Sequence, residues 1–155
     1  MVKARADILI RRPPELVYGF VARDFFANYP RWSPEVQRLD VLTPGPLRVG
    51  SRARQVRRDQ GRRRESTFRV TALEDPVRVE FAEGSDLFRI GYRLDPAGEQ
   101  TRLSFAFELT RLELYMRPFE KLVRIAVQDG AERVVRNIKA LVEREPQPPT
   151  DIARP

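Results

Sequence analysis

The stretch that decides the fold lies between residues 103 and 144 and reads LSFAFELTRLELYMRPFEKLVRIAVQDGAERVVRNIKALVER. Its first part alternates apolar and polar residues, which predicts a β-strand with one buried face. After Pro118 the apolar residues recur about every 3.6 positions, which predicts an amphipathic helix. At 1.5 Å per residue, a helix from Pro118 to about Arg144 would be roughly 40 Å long. A helix of that length can cross a whole sheet.

The sequence before this stretch predicts one strand and two short helices. Residues 4–11 form the strand. The segment Pro13-Pro14-Glu15 then opens a helix to about Ala22, because proline suits the first helical turn and glutamate its positive end. A second helix covers residues 24–28 and is expected to stop at Pro30.

Six further strands fit between residues 35 and 110, where apolar residues follow a period of two. Turn-forming residues separate these strands at 43–46, 59–61, 74–76, 83–85 and 95–98. The apolar face of the sheet and the apolar stripe of the last helix must bury each other. The predicted fold is therefore α+β: one domain, residues 1–144, whose curved seven-stranded antiparallel sheet wraps around the C-terminal helix. Residues 145–155 hold four prolines and are predicted to be disordered.

The composition excludes most familiar catalytic machinery. The 155 residues contain no cysteine and no histidine. Thiolate nucleophiles, Ser-His-Asp triads, disulfides, histidine-held haem and ordinary zinc sites are therefore excluded. We expect no metal, no cofactor and no catalytic residue. Neither a membrane span nor a signal peptide is apparent, which predicts a cytoplasmic protein.

The net charge of +7 is concentrated in one predicted hairpin, residues 52–64, which carries seven arginines against Asp59. One interpretation is a phosphate-binding surface, and the other is a solvated face paired with nearby carboxylates. No aromatic residue lies among these arginines, which disfavours a single-stranded nucleic acid as partner. We expect weak anionic contact through Arg57, Arg58, Arg62 and Arg63.

The chain resembles the helix-grip fold of the START and birch-pollen-allergen (SRPBCC) superfamily, and within it the bacterial polyketide cyclase/dehydrase-like branch. The residues that carry the likeness are 8–10 (ILI), 13–18 (PPELVY), 29–36 (YPRWSPEV), 49–52 (VGSR) and the long last helix. The resemblance covers residues 4 to 144. It implies a cavity between sheet and helix that holds a hydrophobic or amphipathic small molecule.

The residues expected to line that cavity are those predicted to face inward. They are Ala53, Gln55, Ser66, Phe68, Val79, Phe81, Phe88, Ile90, Tyr92, Phe105 and Phe107 on the sheet, and Phe119, Val123 and Val127 on the helix. The alternative is that all of them are simply core. Gly91 inside a strand and Gly130 inside the helix favour a cavity, because glycine there often marks room for something else. Phe25, Phe26 and Tyr29 would form the cavity mouth.

Three functions remain open. The first is a non-catalytic carrier or sensor of a lipid, isoprenoid or polyketide, oriented by Gln55, Ser66 or Tyr92. The second is a cyclase or dehydratase, which without histidine needs a carboxylate or tyrosine in the cavity. The third is an accessory protein like the coenzyme-Q-binding and ribosome-association relatives, acting through the basic hairpin. The sequence leaves monomer and homodimer equally open.

Overall fold

The computed structural model describes residues 1–145, and they form an α+β fold around one antiparallel sheet. The sheet has seven strands: β1 (Val2–Ile10), β2 (Val36–Val41), β3 (Arg52–Asp59), β4 (Arg62–Glu74), β5 (Arg78–Glu83), β6 (Phe88–Ala97) and β7 (Gln100–Leu109). Their order is β1-β7-β6-β5-β4-β3-β2. Strands β2 to β7 pair as consecutive neighbours, while β1 pairs with β7, Val2 opposite Leu109. The predicted fold class is confirmed.

The helices lie close to where the sequence places them, but the second one is longer than predicted. They are α1 (Pro14–Tyr18), which continues as a π-helical turn (Gly19–Arg23), α2 (Phe25–Trp32), a 3-10 segment (Leu114–Phe119) and α3 (Glu120–Arg144). The prediction that the second helix stops at Pro30 is wrong, because helix α2 continues through Pro30 to Trp32. Burial of Tyr29 and Trp32 holds that last turn, and the Ser33 amide still bonds to the Tyr29 carbonyl at 3.0 Å.

Helix α3 uses its two halves differently. Its C-terminal half is packed in the core through Ala131, Val135, Ile138 and Val142, all buried. Its N-terminal half exposes Leu122 and Ile125. The helix lies against β1 and β7, while the middle of the sheet is covered by α2. We expected α3 to contact the centre of the sheet, but aromatic residues of α2 make that contact instead.

Side chains of α3 also cover the outer edge of β1. The Gln128 amide accepts a hydrogen bond from the Arg5 backbone N–H at 3.2 Å and donates one to its carbonyl at 2.8 Å. The Lys139 ammonium donates to the Leu9 carbonyl at 2.7 Å. An edge strand presents unpaired backbone groups, and these contacts occupy several of them.

The hairpin between β3 and β4 turns at Gln60 and Gly61, whose φ angles are +50° and +80°. Two consecutive positive φ angles are typical of the tight two-residue turns that suit hairpin twist. Arg58, Arg62, Arg63 and Arg64 lie at or beside this turn and are exposed. Among residues 1–145, no helix combines the length and the apolar character needed to cross a membrane. The predicted tail, residues 145–155, lies outside the described residues except for Glu145.

Candidate ligand site

Phe25 lies at the centre of an aromatic cluster that joins α2 to the sheet. Its ring stacks on Phe81 of β5 at a centroid distance of 4.3 Å and on Tyr29, one turn along α2, at 4.9 Å. Phe68 of β4 and Tyr92 of β6 meet it edge-on, each at 6.2 Å. Such aromatic pairs contribute about 0.5–1.5 kcal/mol each beyond the area they bury. The cluster therefore fixes α2 over the middle of the sheet.

A small cavity remains beside this cluster. Its lining consists of Phe25, Tyr29, Gln55, Phe68, Phe81, Phe88, Ile90 and Tyr92. Its volume is about 10 Å³, which is room for about one water molecule. A site for a drug-sized molecule measures roughly 300–1,000 Å³. The protein's own side chains thus occupy the space that a ligand of this size would need.

Hydrogen bonds connect the polar groups on one side of the cavity wall, from Tyr29 of α2 to residues of β3 and β4. The Tyr29 hydroxyl donates a hydrogen bond to Gln55 Oε1 at 2.7 Å and accepts one from Arg57 Nη1, also at 2.7 Å. Gln55 Nε2 in turn donates to Ser66 Oγ at 3.3 Å. An otherwise apolar wall therefore has one polar side.

A second polar group is the Tyr92 hydroxyl, which accepts a hydrogen bond from Trp32 Nε1 at 3.3 Å. Burial raises the pKa of Tyr92, and burial also raises the pKa of Tyr29, against the lowering effect of the Arg57 charge. Both phenols are therefore neutral at physiological pH. Within residues 1–145 the Tyr92 proton has no hydrogen-bond acceptor, so this residue of the cavity lining carries a spare donor.

Arg57 differs from its expected place. The sequence groups it with the exposed arginines of the hairpin, but its side chain is only 25% exposed and also bonds Asp59 at 3.0 Å. Burial opposes its charge, yet Tyr29 and Asp59 outweigh that effect and raise the pKa of Arg57. The alternation of β3 contains the signal, because Arg57 is two residues after inward-facing Gln55. We missed this inward arginine because we considered charge alone, although the alternation of β3 predicts an inward side chain at residue 57.

The other predicted lining residues are distributed over three places. Six of them lie in the cavity wall: Gln55, Phe68, Phe81, Phe88, Ile90 and Tyr92. Ala53, Val79 and Phe105 are buried core beside it, Ser66 is half-buried against Gln55, and Phe107 stacks on Phe88. Of the predicted mouth, Phe25 and Tyr29 lie in the wall itself, while half-buried Phe26 packs edge-on against Phe25.

The residues of the last helix that were predicted to line the cavity do not lie in its wall. Val123 and Val127 are half-buried on α3, but Phe119 is 52% exposed and lies outside the cavity wall. The physical reason is that α2 fills the centre of the sheet, so the first turns of α3 have no apolar surface to cover. The two glycines also do not mark the cavity. A Cβ at Gly91 would meet Glu80 on the outer face at 3.5 Å, and one at Gly130 would meet the end of Arg133 at 3.8 Å.

With the geometry established, the family follows from a direct match. Residues 1–143 match the family model described as "Polyketide cyclase / dehydrase and lipid transport". The chain belongs to this family. No curated protein matches its sequence.

Several solved structures share this fold. The protein TTHA0849 from Thermus thermophilus superposes with a TM-score of 0.76 at 21% identity, covering 90% of this chain and 96% of that one. A START superfamily protein from Mycobacterium smegmatis gives 0.73 at 17% identity, covering 91% and 97%. The di-domain ARO/CYC protein BexL of the BE-7585A biosynthetic pathway gives 0.69 at 20% identity, covering 92% of this chain and 47% of BexL. The helix-grip fold of the START superfamily is thereby shown.

Proposed function

We propose that this protein binds a hydrophobic or amphipathic small molecule, of lipid, isoprenoid or polyketide type, and carries it without changing it. The observation that supports this most is the cavity wall, in which aromatic and aliphatic side chains surround a single polar side. Ligand sites commonly combine an apolar lining with a few converging polar groups. The polar side would hold a carbonyl or hydroxyl group of the ligand, and the aromatic wall its apolar body.

Tyr92 is the group we expect to orient the ligand. Its spare hydroxyl proton is available to a ligand oxygen, and its own oxygen is already fixed by Trp32. The Tyr29 hydroxyl is saturated by Gln55 and Arg57, whereas Gln55 Nε2 donates one of its two N–H groups to Ser66 and offers the other as a second donor. The described part of the cavity wall holds no carboxylate, and burial raises the pKa of both its tyrosines, so neither is a ready base. This lining favours carrying over acid-base catalysis.

Binding must displace side chains, because the cavity is almost full. Phe25 is the residue we expect to move, since it lies on the eight-residue helix α2 and covers the centre of the sheet. A ligand ring or chain in its place would regain the same contacts with Phe81 and Phe68.

The single tryptophan supplies the experiment. Trp32 is 1% exposed and its ring lies 5.7 Å from that of Phe25, so its fluorescence reports on the cluster. Titration with oleate, farnesol and the aromatic polyketide emodin should change that fluorescence in a saturable way for one class. Native mass spectrometry of freshly purified protein should show the bound molecule.

Truncation of Phe25 sharpens the test. Phe25→Ala should lower stability by about 3–5 kcal/mol, yet bind the same probe more tightly because the ligand no longer displaces a ring. Ile138→Ala, an equally buried truncation on α3 away from the cavity wall, should lower stability without a gain in affinity. If neither the original chain nor the Phe25→Ala variant binds any of the three probes, the proposed function is wrong.

A cyclase is the second candidate, and the Tyr29–Arg57 pair is the observation that favours it. The Arg57 charge works against the burial that raises the pKa of Tyr29, and a substrate carbonyl in place of Gln55 Oε1 would accept the Tyr29 proton. The reaction to test is ring closure of a synthetic poly-β-ketone, followed by mass spectrometry. Product that disappears in Tyr29→Phe would place the protein with the enzymes of its family.

A further inference from the structure

Five large apolar side chains are exposed on the 3-10 segment and the first turns of α3. They form what we call the apolar strip: Leu114, Tyr115, Phe119, Leu122 and Ile125. Each is between 52% and 74% exposed. Half of the ten exposed large hydrophobic residues among residues 1–145 thus fall within twelve positions. Single exposed apolar residues are ordinary, but a contiguous group marks an interaction surface.

The apolar strip is joined to the tip of the basic hairpin. The Arg62 guanidinium lies over the Tyr115 ring, 5.3 Å from its centre. Arg58, Arg63 and Arg64 are exposed on the same tip. Of these four arginines, only Arg63 has a carboxylate within 4.0 Å among residues 1–145, and that contact with Glu65 is at the limit. The surface therefore combines exposed apolar side chains with positive charges that are not neutralised.

We propose that the apolar strip and the hairpin tip together dock on the surface of an anionic lipid membrane. The apolar side chains would enter the boundary between headgroups and acyl chains, and the arginines would bond to lipid phosphates. A polar face rich in arginine beside an apolar face is the pattern of segments that lie in a membrane interface. Each basic residue near an anionic surface adds to that binding.

Other occupants fit this surface less well. A second copy of the chain would bring two unneutralised arginine clusters together, and their repulsion opposes dimer formation. Nucleic acid would use the arginines but not Leu114, Leu122 or Ile125, because aliphatic side chains do not stack on bases. A lipid membrane uses both halves of the surface.

The position of this surface relates it to the cavity, although the proposal does not depend on what the cavity holds. Phe88 of the cavity wall pairs in register with Leu109, five residues before the apolar strip begins. Leu122 and Ile125 of the strip also lie on the half of α3 that is not packed in the core. A membrane bound there would lie near the Phe88 end of the cavity wall.

The test is co-sedimentation of the full chain with vesicles of phosphatidylglycerol mixed with phosphatidylcholine, at a salt concentration of about 0.15 M. Arg58→Gln, Arg62→Gln and Arg64→Gln combined should lower the partition coefficient by about tenfold or more. Leu114→Ser with Leu122→Ser should lower it by a similar factor. Both variants change exposed side chains, so circular dichroism should show an unchanged fold.

Matched controls lie elsewhere on the surface. Arg38→Gln, Arg93→Gln and Arg102→Gln remove the same charge from arginines that are paired with carboxylates. Val41→Ser with Leu42→Ser removes another exposed apolar pair, 47% and 48% exposed. Both controls should keep the binding of the original chain. Equal losses in control and test variants would overturn the proposal, as would tighter binding to RNA than to vesicles, or self-association through the strip in place of vesicle binding.

Discussion

The Arg57 guanidinium donates a hydrogen bond to the Tyr29 hydroxyl at 2.7 Å, and so a residue of the basic hairpin reaches the wall of the cavity. Asp59 fixes the other side of the same guanidinium. The charge of the hairpin is therefore divided. One arginine belongs to the interior, and those at the tip belong to the surface.

Removing the Tyr29 hydroxyl tests how much this contact contributes. Tyr29→Phe leaves Gln55 Oε1 and one Arg57 N–H without their partner in a buried place. We expect the free energy of unfolding to fall by about 1–3 kcal/mol. Urea denaturation measures it, and Tyr115→Phe on the exposed strip should change little. A Tyr29→Phe protein as stable as the original would show that water replaces the hydroxyl fully.

Glu143 should give the protein a stability that is lost progressively as the pH falls from about 4.5 to about 2. Burial works against its charge, but bonds from Lys139 and from the Arg11 backbone and side chain outweigh burial and lower the pKa of Glu143 to about 2. A carboxyl group whose pKa is lower when folded stabilises the protein above its unfolded pKa. That stabilisation falls as the pH drops toward the folded value. The carboxyl carbon of Glu143 should titrate near pH 2 in an NMR experiment.

Substitution of Glu143 by glutamine tests this pH dependence of stability. Glu143→Gln should be less stable than the original chain at pH 6, and the difference should shrink as the pH falls toward about 2. Urea denaturation across this range measures it. A difference that stays constant with pH would mean that packing, rather than charge, accounts for the contribution of Glu143.

Gln128 is expected to protect the outer edge of β1. Gln128→Ala removes both hydrogen bonds to the Arg5 backbone, so the Arg5 amide should exchange its hydrogen faster and stability should fall by about 1 kcal/mol. Glu132→Ala, one turn along the exposed face of α3, should change neither quantity. Unchanged exchange at Arg5 in the Gln128 variant would contradict this role.

Gly130 offers a stabilising substitution. Its added Cβ would meet only the flexible end of Arg133, at 3.8 Å. Gly130→Ala should therefore raise stability by about 0.5–1 kcal/mol, because alanine restricts the unfolded chain and favours the helix. Gly61→Ala is the contrasting case and should destabilise, since Gly61 has a φ of +80°. Thermal denaturation measures both, and a lower midpoint for Gly130→Ala would show that the helix needs flexibility there.

Periodicity predicted most of this fold, because burial of one face leaves its period in the sequence. The alternation in β6 and β7 and the stripe of α3 placed those elements closely. The same period of two, continued from Gln55 to Arg57, indicates the inward arginine that charge alone hides. Periodicity does not say which neighbour covers which face. For that reason the sequence did not show that α2 covers the sheet centre, or that Phe119 is left exposed.

The pairing of β1 with β7 has a consequence for the growing chain. Residue 2 has no strand partner until residue 109 has been made, and Arg5 has no cover on its other side until residue 128 follows. Strands β2 to β7 can pair in the order of their synthesis, but β1 must wait for the last of them. A chain that ends early therefore keeps its first strand open to other chains. Synthesis of α3 then covers the outer edge of β1, because Gln128 and Lys139 bond to its backbone.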